Sequence, residues 1–216
     1  MSQLSLAQQI AIWALPILFA ITVHEVAHGW VARLHGDRTA ELMGRLTLNP
    51  IKHIDLVGTV IVPLVLLALG AFIFGWAKPV PVAQQNLRNP RRDMALVAAA
   101  GPISNIVQAL IWGLIAKLAA VANVDWASEP LILMGIAGVT INLVLAVLNL
   151  LPIPPLDGGR VLSNLLPARY SDTIDRVEPY GLMILVALLA FGILGQIIGP
   201  PIILLRSLIF SLFGLG

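Results

Sequence analysis

The residues best suited to chemistry are two histidines and a glutamate between positions 24 and 28. His24 and His28 are four residues apart, so a helix would place both imidazoles on one face, where they could bind one metal ion. Glu25 lies beside them, in the position of a base that could activate water. The three residues lie in an apolar stretch, where ionisable groups are costly and usually functional. The pattern therefore predicts hydrolysis within a membrane.

The composition is that of an integral membrane protein. Of the 216 residues, 58% are hydrophobic and 11% are charged, and the mean hydropathy is +0.92, whereas soluble domains have about 25% charged residues. The absence of cysteine excludes disulfides, thiolate ligands and thiol nucleophiles. The net charge of +2 is small, so nucleic acid is not an expected partner. No lysine or arginine precedes the first apolar segment, so we expect no removable signal peptide.

Five apolar segments reach the length of roughly 20 residues that a membrane span requires, and a sixth is shorter. They lie at 6–33, 56–76, 94–121, 130–153, 179–199 and 201–214. We therefore expect an all-α polytopic membrane protein with about five to six apolar segments. The chain would form a single domain over 1–216, with a catalytic core at about 6–170 and C-terminal apolar helices at 179–214.

Charges in the loops predict how these segments are oriented. Basic residues concentrate in the loops 33–55, 77–93 and 154–178, whereas the loop 121–130 has two acidic residues and no basic one. The positive-inside rule places the first three loops in the cytoplasm and the fourth outside. Segment 56–76 would then have basic loops at both ends, so we predict a re-entrant hairpin there. The alternative is an ordinary helix that violates the rule.

Two stretches are predicted to be extended at the edge of the membrane. Residues 40–50 partly alternate between polar and apolar, which favours a short strand or hairpin. Residues 76–82 contain Pro79 and Pro81, which disfavour a helix and suit an edge strand. A transmembrane substrate must unwind locally before cleavage, and its extended chain could pair with either stretch.

A catalytic zinc site needs a third protein ligand and one open position. Asp157 is the best candidate, because it follows segment 130–153 on the predicted cytoplasmic side, in a turn rich in proline and glycine. The apolar residues before His24 span about 21 Å of helix, which places the metal nearer the cytoplasmic face. The competing ligands are weaker candidates: Glu41, Glu129, Glu178 and His53. His53 could instead hydrogen-bond to one of the metal-binding residues, contact the substrate, or be a plain interfacial histidine.

Three motifs together resemble the site-2 protease family of intramembrane zinc metalloproteases, in its compact form without PDZ-like or CBS-like domains. They lie at 24–30, 100–105 and 149–160, and the resemblance covers about 6–170. It implies one Zn²⁺ per chain, and the ligand set that it implies is His24, His28 and Asp157. Glu25 would then be the general base.

The resemblance also implies roles for two asparagines. Asn149 matches the position that holds the substrate or polarises the scissile carbonyl. Asn105 falls on a helix that packs the core, and the small residues at 98–101 favour plain helix packing there. Residues 76–82 resemble the strand that holds substrate.

The composition, the loop charges and the same resemblance together predict the environment and the partners. The protein would lie in the inner or plasma membrane of a prokaryotic cell, as a multi-pass protein with its active site nearer the cytoplasmic face. Its partners would be transmembrane protein substrates and the lipid bilayer, and a homo-oligomer with a second copy of the chain remains open.

Three alternatives remain open. Paired histidines could form the transit site of a metal-binding membrane transporter or channel, the chain could be a catalytically inactive scaffold, or it could be another membrane zincin with a glutamate ligand. Glu25 directly after His24, and one carboxylate on a turn, favour hydrolysis over transport. A scaffold would usually have lost the base or a ligand.

Overall fold

The computed structural model describes residues 4–62, 65 and 77–215, and this part of the chain is helical. The helices, in chain order, are α1 (Leu6–Leu34), α2 (Thr39–Leu42), α3 (Pro90–Ala122), α4 (Ser128–Asn149), α5 (Asp157–Leu165), α6 (Ala168–Asp175), α7 (Gly181–Ala190) and α8 (Ile193–Phe213). Short 3-10 turns lie at Pro50–His53, Gln84–Asn86 and Glu178–Tyr180, and a π-helical turn lies at Leu56–Ile61. The predicted all-α class is therefore confirmed.

Four of the described helices are long and apolar enough to cross a membrane: α1, α3, α4 and α8. The central helix is α3, which contacts α1, α4, α5 and α8. It runs antiparallel to α1, because Val97 meets His28 whereas Asn105 meets Ala20. The carboxyl end of α1 and the amino end of α3 therefore lie at the same end of the bundle.

Helix α4 is also antiparallel to α3. Asn105 hydrogen-bonds to Asn142, and eleven residues further along α3 the side chain of Ala116 lies against Gly135. A Cβ atom on Gly135 would lie 2.7 Å from the Cβ of Ala116, so the close approach of the helices requires glycine there. The core beside this contact combines buried residues of α3, α4 and α8: Ala109, Trp112, Val139, Leu143 and Ile209.

The antiparallel order brings the basic loops to one end of the bundle. The loops after α1, before α3 and after α4 all begin or end there. In addition, the N–H of Lys78 donates to the carbonyl of His53 at 2.9 Å, so the two sides of segment 56–76 meet at this end. Most of the predicted re-entrant hairpin, at 63–64 and 66–76, lies outside the described residues.

The predicted β-hairpin at the membrane edge is not supported, because the described residues contain no strand. Residues 40–50 begin with α2 and continue through turns. Residues 77–83 are neither helix nor strand, since Pro79 and Pro81 lack the N–H groups that a ladder requires.

The C-terminal apolar region divides at a different residue from the predicted one. We expected a break between 199 and 201, but Pro200 and Pro201 lie inside α8. The break lies at Gly192, whose φ of +70° ends α7 without the steric cost that a side chain would have there. Helix α7 has 10 residues and is too short to cross a membrane by itself.

Asp37 ties the end of α1 to the segment that precedes α3. Its buried carboxylate accepts hydrogen bonds from the Ala83 N–H at 2.7 Å, from Asn86 Nδ2 at 3.1 Å and from Thr39. Burial alone would raise the pKa of Asp37, but these hydrogen bonds outweigh it and hold the pKa below its usual range. An ionised carboxylate thus anchors residue 83 to α1.

Candidate metal centre

The structure brings His24, His28 and Asp157 together at the shared end of the bundle. The two Nε2 atoms of the histidines are 3.1 Å apart. His24 Nε2 lies 3.2 Å from Asp157 Oδ2, and His28 Nε2 lies 3.5 Å from Asp157 Oδ1. One nitrogen or oxygen atom from each side chain therefore faces a common point, and the three residues could hold one metal ion.

Gly101 of α3 forms the back wall of this group. A Cβ atom at position 101 would lie 2.5 Å from His24 Cε1 and 2.5 Å from His28 Nε2. Both distances are far shorter than a van der Waals contact, so only glycine allows α3 to approach the two imidazoles so closely.

Helix α3 also determines which nitrogen of each imidazole carries the proton. His28 Nδ1 lies 2.7 Å from the carbonyl oxygen of Val97, which can only accept a hydrogen bond. His24 Nδ1 lies 2.6 Å from Asn105 Oδ1. Both Nδ1 atoms therefore donate, so in the neutral imidazoles the lone pair lies on Nε2, which faces the third ligand. Fixing the tautomer in this way is the usual role of the groups around metal-binding histidines.

The orientation of the Asn105 amide is fixed by two acceptors. Its Nδ2 donates to the carbonyl of Ala20 at 3.1 Å and to Asn142 Oδ1 at 2.8 Å, and Asn142 Nδ2 donates to the carbonyl of Gly138. Asn105 is fully buried and joins three helices, as plain packing would require, but it also holds His24. The sequence analysis missed Asn142, although an amide in the middle of a very apolar helix is a signal of function.

The chemistry of the three side chains fits Zn²⁺. Two Nε2 atoms and a carboxylate face one another at 3.1 to 3.5 Å, so a cation between them could accept a lone pair from each side chain. Asp157 Oδ2 is buried and has no hydrogen-bond partner among the described residues. Ligands at 2.0–2.1 Å in a tetrahedral zinc site are about 3.3 to 3.4 Å apart, which the observed separations match.

Asp157 is the first residue of α5 and is held in place by the turn at 150–156. A Cβ atom on Gly158 would clash with the carbonyl of Leu150, and one on Gly159 would clash with the backbone of Pro154. Neither glycine has a positive φ, so neither of them forms the turn itself. They allow α5 to lie directly against the turn, which carries Asp157 back to α1.

Glu25 follows His24 on α1 and is half-buried. Its Oε2 accepts a hydrogen bond of 2.7 Å from the backbone N–H of Val80. The sequence analysis placed residues 76–82 near the substrate but did not predict this contact with Glu25.

The other candidate residues are not part of the group. Asn149 is the last residue of α4, and its Nδ2 donates to the carbonyl of Leu145 in the same helix. His53 is buried, and its Nε2 lies 2.8 Å from the carbonyl of Thr47. Glu41 pairs with Arg33 and Arg38. Two further acids are exposed or paired elsewhere: Glu129 and Glu178.

Substitution of Gly101 tests whether His24, His28 and Asp157 bind the metal. We expect Gly101→Ala to weaken zinc binding by at least about tenfold, because its methyl group displaces both imidazoles, while alanine preserves the helix. Zinc affinity is measured by competition with a chelator on the purified protein. Gly195→Ala is the matched control, since a Cβ atom there meets no atom within 4 Å. Equal zinc affinity in Gly101→Ala and Gly195→Ala would contradict the assignment.

Comparison with known proteins identifies the family. The sequence profile described as peptidase family M50 matches residues 12–125 and 115–192. YwhC of Bacillus subtilis, which is named as a zinc metalloprotease, is 36% identical over 200 residues, covering 91% of this chain and 88% of YwhC.

Two mycobacterial relatives are longer than this chain. Rip2 of Mycolicibacterium smegmatis, also named as a zinc metalloprotease, is 32% identical over 174 residues, which cover 80% of this chain and 64% of Rip2. Rip2 of Mycobacterium tuberculosis is 29% identical over 172 residues, which cover 79% of this chain and 63% of Rip2. No solved structure matches the chain. The profile covers most of the chain, including every member of the metal group, and the protein therefore belongs to peptidase family M50.

Proposed function

We propose that this protein is an intramembrane zinc endopeptidase that hydrolyses peptide bonds in or near transmembrane segments of other membrane proteins. The group formed by His24, His28 and Asp157 carries the proposal, because its two histidines lie on a helix that is long enough to cross a membrane and Glu25 lies directly beside them. Membership of family M50 supports the same reaction, and so do the relatives, which are named as zinc metalloproteases.

His24, His28 and Asp157 would hold one Zn²⁺ and leave a position open, as in catalytic zinc sites. When bound, zinc supplies Lewis-acid chemistry that polarises a carbonyl group and lowers the pKa of water to about 7. The hydrogen bonds to Val97 and Asn105 hold a proton on Nδ1 of both imidazoles, so the Nε2 atoms are the ones that would bind the ion.

Glu25 takes the proton of the attacking water and passes it to the leaving amine, as a general base and then a general acid. Asn149 contacts the scissile carbonyl. Its place at the end of α4, ahead of the turn that carries Asp157, supports this role. The nitrogen of the cleaved bond must gain a proton, because without it the leaving group would be an amine anion, which leaves poorly.

The whole chain acts as one domain in the membrane, with the catalytic core at about 6–170 and the C-terminal helices beside it. Its active site lies nearer the cytoplasmic face of a prokaryotic inner or plasma membrane. Two features support this arrangement. The basic loops share the end of the bundle that holds the metal group, and the hydrogen bond between Lys78 and His53 brings the two sides of a re-entrant segment 56–76 together.

Cleavage of a single-span membrane substrate by the purified protein in liposomes tests the reaction. We expect cleavage by the parent protein that stops when a zinc chelator is added. Glu25→Gln should lower the cleavage rate by at least about a hundredfold, because it removes the base, and should keep the zinc content of the parent.

Glu129→Gln is the matched control, since Glu129 is exposed and lies at the other end of the bundle. It should cleave at the parent rate. Cleavage by Glu25→Gln at that same rate would refute the role of the base. Zinc uptake into the liposomes without any cleavage by the parent would instead favour a transporter.

Labelling of single cysteines in cells tests the orientation, because the parent chain has no cysteine. Cysteines placed at Lys78 and Arg169 should react only after the membrane is permeabilised, since both lie in the predicted cytoplasmic loops. A cysteine at Asp125 should react with an impermeant reagent from outside. Labelling of Lys78 and Asp125 from the same side would contradict the arrangement.

A further inference from the structure

We propose that the backbone N–H of Val80 positions the carboxylate of Glu25 for proton transfer. The proposal rests on the proposed function, in which Glu25 is the base. Val80 N–H donates to Glu25 Oε2 at 2.7 Å across 55 positions of the chain. A hydrogen bond to an ionised carboxylate is stronger than one between neutral groups. It holds one oxygen of Glu25 and restricts rotation of the carboxylate, so the other oxygen keeps one direction.

Val80 is docked against the helix that carries the metal ligands. The residue is 7% exposed. A Cβ atom on Gly29, the residue after His28, would lie 2.9 Å from Val80 Cγ1. Gly29 therefore leaves room for Val80 on the surface of α1, one turn beyond Glu25. This contact fixes the position of the Val80 N–H along the axis of α1.

Flanking prolines make Val80 the single backbone donor of its tripeptide. Pro79 and Pro81 have no N–H. If the chain slipped by one residue, a proline would face Glu25 and the carboxylate would lose its partner. The sequence thus places one donor opposite Glu25 and excludes its two neighbours.

Both sides of Val80 are anchored by independent contacts. On one side, Lys78 N–H donates to the carbonyl of His53 at 2.9 Å, and Arg45 Nη2 donates to the carbonyl of Lys78 at 2.8 Å. On the other side, Ala83 N–H donates to Asp37 Oδ2 at 2.7 Å. The donor therefore belongs to a segment that is held at both ends, which is what positioning a base requires.

The same contacts change the role expected for residues 76–82. A substrate strand that paired through the N–H of Lys78 or Val80 would compete for those donors with His53 and Glu25, which already bind them. Pro79 and Pro81 on the alternate positions offer carbonyls only. A substrate strand that took the N–H of Val80 would break its hydrogen bond to Glu25. We therefore assign this N–H to Glu25 and not to the substrate.

Proline at position 80 removes the donor, and the residues on both sides are already prolines. We expect Val80→Pro to lower kcat by about tenfold to a hundredfold and to leave KM and the zinc content within about twofold of the parent. Val80→Ala is the matched control, because it loses the side-chain packing against Gly29 but keeps the N–H. It should lose severalfold less kcat than Val80→Pro.

Two kinetic results would overturn the proposal: parent kcat in Val80→Pro, or equal losses in Val80→Pro and Val80→Ala. Either result leaves the proposed function intact, because that function is decided by the parent and by Glu25→Gln.

Hydrogen exchange of the zinc-loaded full chain tests the contact without using activity. In Glu25→Ala, the Val80 amide should exchange at least about tenfold faster than in the parent. The amides of Lys78 and Ala83 are internal controls and should keep their rates, since their acceptors are His53 and Asp37. An unchanged rate at Val80, or equal acceleration at all three amides, would overturn the proposal.

Discussion

The hydrogen bonds that α3 makes to the two imidazoles of α1 are the constraint on which the structure depends. Val97 and Asn105 hold the Nδ1 atoms, and so direct both Nε2 lone pairs towards Asp157. These bonds are short only because Gly101 lets α3 lie against the histidines. Buried polar groups must be satisfied within the protein at membrane depth, so Asn105 needs Asn142 on α4 as a partner. The imidazoles of His24 and His28, and the amides that support them, thus link α1, α3 and α4.

The metal group and the base are held by different parts of the molecule. His24, His28 and Asp157 are fixed by helices and by a tight turn, whereas Glu25 is held by the segment 77–83 outside the bundle. Loss of the base contact should therefore leave the metal group in place. Because zinc binding and proton transfer use separate supports, changes in the loop can affect the rate of the reaction without releasing the metal.

Much of the site could be predicted from sequence, because its signals are local or follow from topology. The spacing of His24 and His28 places them on one helix face, and the loop charges place Asp157 at the same end of the bundle. The contacts of Asn142 and Val80 could not be predicted, since they depend on which helix faces meet and on the path of a loop. The predicted β-hairpin at the membrane edge was wrong, because the described residues there are held by separate hydrogen bonds and not by a strand ladder. The C-terminal break was misplaced, because Gly192 separates α7 from α8 whereas Pro200 and Pro201 lie inside α8.

The central claim is that two imidazoles and one carboxylate bind a single zinc ion. X-ray absorption spectroscopy of the purified zinc-loaded protein tests it most directly. We expect one zinc per chain with two imidazole ligands and oxygen ligands, at about 2.0–2.1 Å, and a loss of bound zinc in Asp157→Ala. A spectrum without the scattering of two imidazoles, or a parent zinc content in Asp157→Ala, would contradict it.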